Sequence, residues 1–421
     1  MKTIGFLTAH YNWDRSYSIT SVMHDQLVMN LKYGYKVVLF VLPAFQDDDK
    51  IPAGVEVRKV VPQFVLENYK GFSYPKNWKD EVKQVVKVLT DKASDIDIMI
   101  AHDMHFIDSF VPYCAAIHEL TQYDLIKAKW LLWTHSAPSS RDIQGGGNPH
   151  DMRFMKPRNS KLVYLNNHHA LALAEMYGTW LSEVAVVHNS VDPRTFWTLH
   201  PLVESLINKY DLLSADYMGI YPLSSTRMVG GKQVQKAVKV FAKLKERGHN
   251  VRYIVCNAHA NAPTEKKTIE DLQTMFAGWG LSTNEVIFTS LEQSPTYEGG
   301  VPREVVSQLF NLSNLFVFPT ISENCSLVLM EAMLSKNLLV LNSNVPQLKE
   351  FGKNQAIYFE FDSKDTKVSY SDEEGYYNDI AKIIENQMLI NKPLFGQRDL
   401  LKNYNLDRIF KRQIEPLYYG E

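Results

Sequence analysis

Two acids, Glu323 and Glu331, stand seven residues apart in the stretch FVFPTISENCSLVLMEAMLSKNLLVLNSNVPQLKE (316–350), with small and apolar residues between them. Glu323 follows an apolar run that ends at Pro319 and falls on a loop. Glu331 lies a turn or two into the next helical pattern. The start of a helix offers free backbone N–H groups and the positive end of its dipole, which suits a phosphate or a sugar oxygen. A carboxylate early on such a helix can accept two hydrogen bonds from a ribose diol. The plainer reading is a surface acid and a half-buried helix acid. A second pattern precedes it. In YPLSSTRMVGGKQVQKAVKVFAKLKERG, Arg227 and Lys232 follow a strand end on a glycine-containing loop and precede an amphipathic helix. A planar guanidinium fork and a point charge at that spacing can straddle a diphosphate. Ordinary surface charge is the alternative.

The first half of the chain carries further polar residues at strand ends. His102-Asp103 follows DIDIMIA, Thr134-His135-Ser136 follows KWLLW, and Thr8-Ala9-His10 is followed by Trp13 and Tyr17. Trp13 and Tyr17 are read as rings that stack on a sugar or a base, or as aromatics packed on their own domain. The segment RDIQGGGNPHDMRFMKPRNSK (141–161) has three consecutive glycines and then Arg153, Lys156, Arg158 and Lys161. It reads either as a grip on an anionic acceptor or as a solvated basic face.

The elements that must position these residues alternate between short apolar runs and helical patterns. KTIGFLT (2–8), a helix over 18–33, KVVLFVLP (36–43) and VEVRKVV (55–61) open the βαβ rhythm of a parallel sheet. Runs at 95–103, 129–135, 161–166 and 183–189 continue it, with a helix at 168–178. Residues 190–213 contain prolines and polar residues and read as a linker. A second set follows: strands at 217–223, 251–257, 285–290, 314–320 and 337–342, and helices at 234–248, 268–280, 303–311 and 327–335. The reading is two doubly wound α/β domains of about 200 residues each. In such sheets ligands sit beyond the carboxyl ends of the strands, where the polar residues above fall.

Composition sets the outer limits. The 421 residues are 45% hydrophobic and 22% charged, and the formal net charge is −2. That is an ordinary soluble composition with no whole-molecule attraction to nucleic acid or anionic membrane. Cys114, Cys256 and Cys325 have no metal-binding spacing and imply no disulfide framework, so no metal site and a reducing, cytoplasmic setting are expected. No apolar run reaches the roughly 20 residues of a membrane span, and the N-terminal apolar stretch is too short for a signal peptide.

The 316–350 segment resembles the E-x7-E signature of retaining GT-B glycosyltransferases, in particular their family 4. The usual form is P-S-x-x-E, seven residues, E-A, then a strand and a loop holding Pro-Glu. The matching residues are Pro319, Thr320, Glu323, Glu331, Ala332, LLVLN and Asn344-Val345-Pro346. The chain departs from the pattern at Glu323-Asn324-Cys325-Ser326-Leu327, where the family often has E-G-F-G-L, and at Gln347, where an acid is usual. Arg227 and Lys232 stand at the family's spacing. VAVVHNSVDPRTF (184–196) is similar to its interdomain segment, with Asn189, Val191, Asp192 and Phe196 matching and Ser190 in place of Gly. The glycine-rich loop that the family carries after its first strand is absent.

This resemblance implies a GT-B architecture: two Rossmann-like domains facing across a cleft, residues 1–198 on the acceptor side and 199–403 binding the nucleotide sugar. A helix over about 404–421 would return to the first domain. It implies a retaining, metal-independent transferase with no cofactor and a UDP-, GDP- or ADP-sugar donor. Lys232 and Arg227 would neutralise the diphosphate. Glu323 would hold sugar hydroxyls and Glu331 the ribose, and the loop Asn324, Cys325, Ser326 and Leu327 would line the donor. His135 corresponds to a strand-end histidine of the first domain. His10, Trp13, Tyr17, His102, Asp103, Arg153, Lys156 and Arg158 are the acceptor-side candidates. The acceptor is a glycan or lipid-linked sugar, with peripheral membrane contact, or a hydroxymethylated DNA base, as in phage-type DNA glycosyltransferases. On duplex DNA the base would be flipped out, with Trp13 or Tyr17 filling the gap. A nucleotide-sugar epimerase and a non-catalytic nucleotide-sugar binder are the rival readings.

Overall fold

A computed structural model describes residues 2–223, 228–257, 263–292, 300–324 and 326–420. The chain divides into two compact units, Met1–Val191 with Leu406–Glu421, and Asp192–Asn405. Each is built on one wholly parallel sheet with helices packed on it, so the doubly wound α/β reading holds for both.

The first sheet has seven strands: β1 (Thr3–Leu7), β2 (Lys36–Val41), β3 (Glu56–Lys59), β4 (Ile98–His102), β5 (Lys129–Thr134), β6 (Ser160–Tyr164) and β7 (Val184–Val186). Their order is β3-β2-β1-β4-β5-β6-β7. Alternate side chains serve opposite faces, as the pleat requires. Ile98 and Ile100 enter one core with Ile4, Phe6 and Trp133, while Met99 and Ala101 enter the other with Leu7 and Leu132. Both faces are covered, which is why these strands read as near-continuous apolar runs rather than as alternation.

The C-terminal segment completes the first of those cores with Leu406, Ile409, Phe410, Ile414, Leu417 and Tyr418. It is not the single helix predicted over about 404–421. An α-turn at Leu406–Ile409 passes into a π-turn at Phe410–Ile414 and then an α-turn at Glu415–Tyr419. Pro416 explains the break: its ring has no N–H to give and would collide with the carbonyl four residues earlier, so the backbone widens by one residue ahead of it. Tyr418 donates to Asn30 at 3.1 Å and Tyr35 to Glu415 at 2.8 Å, fixing the segment to its own unit.

The second sheet has six strands: β8 (Tyr217–Pro222), β9 (Val251–Cys256), β10 (Val286–Phe288), β11 (Leu315–Phe318), β12 (Leu338–Asn342) and β13 (Ala356–Phe359). The order is β10-β9-β8-β11-β12-β13. Gly219 sits where β8 passes β11. A Cβ there would lie 2.5 Å from the Phe241 ring, 2.9 Å from that of Tyr253 and 3.1 Å from the Leu315 carbonyl.

The predicted linker over 190–213 is largely helical, with helices at Pro193–Phe196 and Pro201–Tyr210. Its prolines start helices instead of breaking the chain, because a first-turn residue needs no N–H partner and wants the φ that proline imposes. Asp192 and His200 cap the two helices by accepting from Arg194 and Leu202. Among the described residues no helix is long and apolar enough to cross a membrane.

Candidate functional site

Each sheet reverses its winding at one place, between β1 and β4 in the first and between β8 and β11 in the second. The connections leave in opposite directions there and open a crevice at the carboxyl ends of the strands. The strongest sequence candidates fall at these two places.

In the second unit the loop after β8 carries Lys232 and the loop after β11 carries Glu323. The two side chains form a direct ion pair, and the glutamate also lies 3.4 Å from the Thr320 hydroxyl. The ammonium sits 5.4 Å from the centre of the Phe318 ring, a cation–π contact that lowers its need for water. The loops themselves are tied together. Ile321 N–H donates to Gly231 at 3.0 Å, and the Tyr221 hydroxyl donates to the Lys232 carbonyl at 2.9 Å. Gln233 takes left-handed backbone at φ +50° and donates from its side chain to the carbonyls of Pro319 and Asp362.

Asn342, wholly buried at the end of β12, is a functional support that the sequence reading missed. Its amide donates to Thr320 and Asp362 at 3.0 and 2.9 Å, and its oxygen accepts from Asn344 and Phe361 at 3.0 and 3.1 Å. All four of its bonds are made, so one side chain pins three loops. The signal available was a lone amide ending the apolar run NLLVLN.

A cavity of about 250 Å³ opens beside Glu323, with Ser322, Glu323, Asn324, Asn344, Gln347 and Lys364 among its lining, and Lys232 lies outside that lining. The helix Leu327–Leu334 starts next to it. Ser326 is buried and caps that helix, accepting from Leu329 N–H at 3.3 Å, while Leu327 is exposed. Glu331, in the second turn, is outside the cavity lining and pairs with Arg303 at 3.2 Å. Arg227 and Cys325 lie outside the described residues. A larger cavity of about 430 Å³ occupies the opposite strand ends, lined by Asp216, Tyr217, Glu385, Arg398 and Lys402. Several of its charges are already engaged: Lys402 pairs with Asp216, Arg247 with Glu385, and Arg398 donates to the carbonyls of Leu212, Leu213 and Leu312.

In the first unit the ends of β4 and β5 bring His102, Asp103 and His135 together. Nδ1 of His102 lies 2.7 Å from Nε2 of His135, and Nε2 of His102 lies 3.1 Å from Oε1 of Gln26. Asp103 takes left-handed backbone at φ +56°, which a short polar side chain tolerates. Its carboxylate accepts the His135 N–H at 2.8 Å and so ties the two strand ends. Burial pushes the Asp103 carboxyl up to about 6, against the pull of the backbone N–H groups of His135 and Ser136. Burial also holds His10 and His135 at about 4, His105 at about 3, and His102 well below the ordinary value. His105, missed in the sequence reading, bonds the Thr134 hydroxyl at 3.1 Å. It stands two residues beyond Asp103, and that position was its only signal.

The remaining candidates divide. Tyr17 is exposed, 6.3 Å ring to ring from His10. Trp13 is not a stacking platform, because it is only 1% exposed. It packs edge-on against Phe45, and its indole donates to His24 at 3.2 Å. The cations of 153–161, read as a grip on an anion or as a solvated basic face, do not form one cluster. The Arg153 guanidinium donates inward to the Phe106 carbonyl at 2.7 Å among Phe72, Phe106 and Phe154, and Lys156 is paired with Glu183 at 3.0 Å. Arg158 is exposed. An inward hydrogen bond among aromatic rings holds Arg153, and an ion pair with Glu183 holds Lys156.

No group of three or more His, Cys, Asp or Glu among the described residues is placed to hold a metal ion. No family model matches the chain, and no curated protein matches it. Among solved structures it is similar to a glycosyltransferase from Rickettsia africae ESF-5, at 14% identity over 100% of this chain and 98% of that one, TM-score 0.38. It is also similar to the trehalose-6-phosphate synthase OtsA (12% identity, 99% of each chain, TM-score 0.37). A third is Anabaena HepE in complex with UDP-glucose (14% identity, 100% of each chain, TM-score 0.34).

Proposed function

We propose that the chain is a glycosyltransferase of GT-B type that moves a sugar from a nucleoside diphosphate sugar to a hydroxyl acceptor with retention of anomeric configuration. The observation that carries this reading is the Lys232–Glu323 pair at the winding reversal of the second sheet, whose glutamate lines a cavity at the strands' carboxyl ends. In the free protein each is the other's counter-ion. A donor would exchange these partners. Its diphosphate takes the Lys232 ammonium, and its sugar hydroxyls donate to the freed Glu323 carboxylate.

As the glycosidic bond breaks, negative charge grows on the diphosphate. Lys232, with Arg227 five residues earlier in sequence, stabilises that charge more than it stabilises the ground state, which is what accelerates the step. On this reading the leaving phosphate takes the acceptor's proton on the same face of the sugar, and no carboxylate forms a covalent intermediate. The cations do the work that a divalent metal does elsewhere, so the reaction is proposed to run without one. Glu331 would hold the ribose after giving up Arg303. The acceptor is a glycan or lipid-linked sugar, and the dispersal of the 153–161 cations removes the main support for a DNA acceptor.

Calorimetric titration with UDP, GDP and ADP tests the cradle separately from the chemistry. One of the three is expected to bind, with Lys232→Ala weakening it at least about tenfold, the worth of one charge-assisted contact of about 1.5–3 kcal/mol. Equal affinity in wild type and variant would remove Lys232 from the diphosphate site.

A further inference from the structure

We infer that Gln26 and His102 are positioning residues that hold His135 with its proton on Nε2, so that Nδ1 presents a lone pair to a hydroxyl group of an uncharged ligand. This rests on the reading of the first unit as the side that handles hydroxyl-bearing sugars. It adds to that reading which residue sets the hydrogen-bonding sense of the site, and which ligand chemistry follows.

The argument is one of donor and acceptor counting along a fixed chain. A carboxamide oxygen can only accept, so with the Gln26 amide turned to place Oε1 at 3.1 Å from His102, the proton sits on Nε2 of His102. A neutral imidazole has one N–H, which leaves Nδ1 of His102 as an acceptor. The 2.7 Å contact then requires that Nε2 of His135 be the donor. His135 in turn has one N–H when neutral, and its Nδ1 is left as a base.

The surroundings keep both rings neutral. His102 and Gln26 are 5% and 4% exposed, and the His102 ring lies stacked against Trp133 at 5.5 Å. Burial depresses both histidines, and a second positive charge 2.7 Å away would add to the cost. His135 is held at the backbone by the Asp103 carboxylate and at the ring by the contact of its Nε2 with His102. No described group bonds its Nδ1, and that atom is not among the buried unpartnered ones. Nδ1 is therefore an acceptor open to a ligand.

An acceptor lone pair selects its partner. It takes the O–H of a sugar or alcohol and repels a phosphate or carboxylate oxygen. The neighbouring His10 and His105 are held neutral by the same burial, so they add no positive charge beside His135. The ligand face of the first unit thus fits a neutral polyol, while the cations of the second unit fit the diphosphate.

The test is the proton position itself, read by long-range ¹H–¹⁵N correlation on histidine-¹⁵N-labelled full-length protein at pH 7.5. The expected spectrum shows His102 and His135 both neutral with the proton on Nε2. A proton on Nδ1 of either ring, or a charged His135, would overturn the inference. Gln26→Glu keeps the acceptor and is expected to keep both tautomers. Gln26→Met removes it and is expected to shift His102 and His135 to mixed or reversed tautomers, with the melting curve reporting whether the fold survives. Unchanged tautomers in a folded Gln26→Met protein would also overturn it. Because the spectrum is recorded without substrate, failure of the transferase reading leaves this result readable. Where turnover is measured, Gln26→Met should raise KM for the hydroxyl-bearing substrate about tenfold or more, while the affinity for the nucleoside diphosphate stays the same.

Discussion

Glu323→Ala and Lys232→Ala are each expected to lower turnover of a nucleotide sugar by about 10²–10³-fold, the usual consequence of removing one preorganised group at a developing charge. The effects differ in where they fall. Lys232 acts on charge that grows as the bond breaks, so its loss should appear mainly in kcat. Glu323 holds the sugar hydroxyls so that the sugar is placed for attack, and its loss should raise KM as well as lower kcat. Neither change should unfold the protein. The two side chains are partly exposed, at 26% and 15%, and each removal leaves a charge that water reaches. The buried bonds of Asn342 and Gln233 hold the loops independently of the pair. The measurement is steady-state kinetics on variants whose thermal midpoints match wild type. Turnover within threefold of wild type in both variants would contradict the role given to the pair.

The second large effect is loss of stability in acid, centred on the first unit. His10, His24, His102, His105 and His135 all have folded values depressed below the ordinary 6.5, with burial the largest cause in each. A depressed histidine contributes its stabilisation fully above 6.5 and loses it as pH falls toward the folded value, because the unfolded chain binds the proton first. Asp103 has the opposite sign. Its folded value of about 6 exceeds the ordinary 3.8, so it adds stability as pH falls between those values. Five histidines outweigh one aspartate, although His24 is half-buried and water screens part of its share. The denaturation midpoint is expected to fall steadily from pH 6.5 to pH 4.5. The total is on the order of several kcal/mol, since a pKa that differs by one between the folded and unfolded chain is worth about 1.4 kcal/mol. Urea titrations followed by the fluorescence of Trp13, Trp130 and Trp133, all buried in this unit, measure it directly. A midpoint constant over that range would show that these histidines are not held neutral.

The sequence showed the architecture well where burial on both faces leaves its mark. Twelve strands begin and end within a few residues of the apolar runs that announced them, while β13, Ala356–Phe359, went unread. The helix Trp78–Lys92 went unread although Val82, Val85, Val86 and Leu89 recur at helical spacing. The stretch around Pro193 and Pro201 failed for a different reason, since proline ends a helix and also begins one, and only the caps at Asp192 and His200 decide which. At the site, Lys232 and Glu323 were legible because strand-end positions in a doubly wound sheet face the crevice. Gln26, His105 and Asn342 were not, because their roles come from partners far away in sequence, such as the contact between Gln26 and His102. Trp13 and Arg153 misled for the same reason. Their partners, Phe45 and His24 for one and the Phe106 carbonyl for the other, turn an aromatic and a cation inward.

The measurement that bears most directly on the central claim is release of nucleoside diphosphate from a panel of UDP-, GDP- and ADP-sugars by the wild-type protein without added acceptor, beside Lys232→Ala. Slow hydrolysis of one donor by wild type, lost in the variant, is the predicted result, and it would name the nucleotide. Silence across the whole panel from folded protein, or release that Lys232→Ala leaves unchanged, would contradict the assignment of the second unit's crevice to glycosyl transfer.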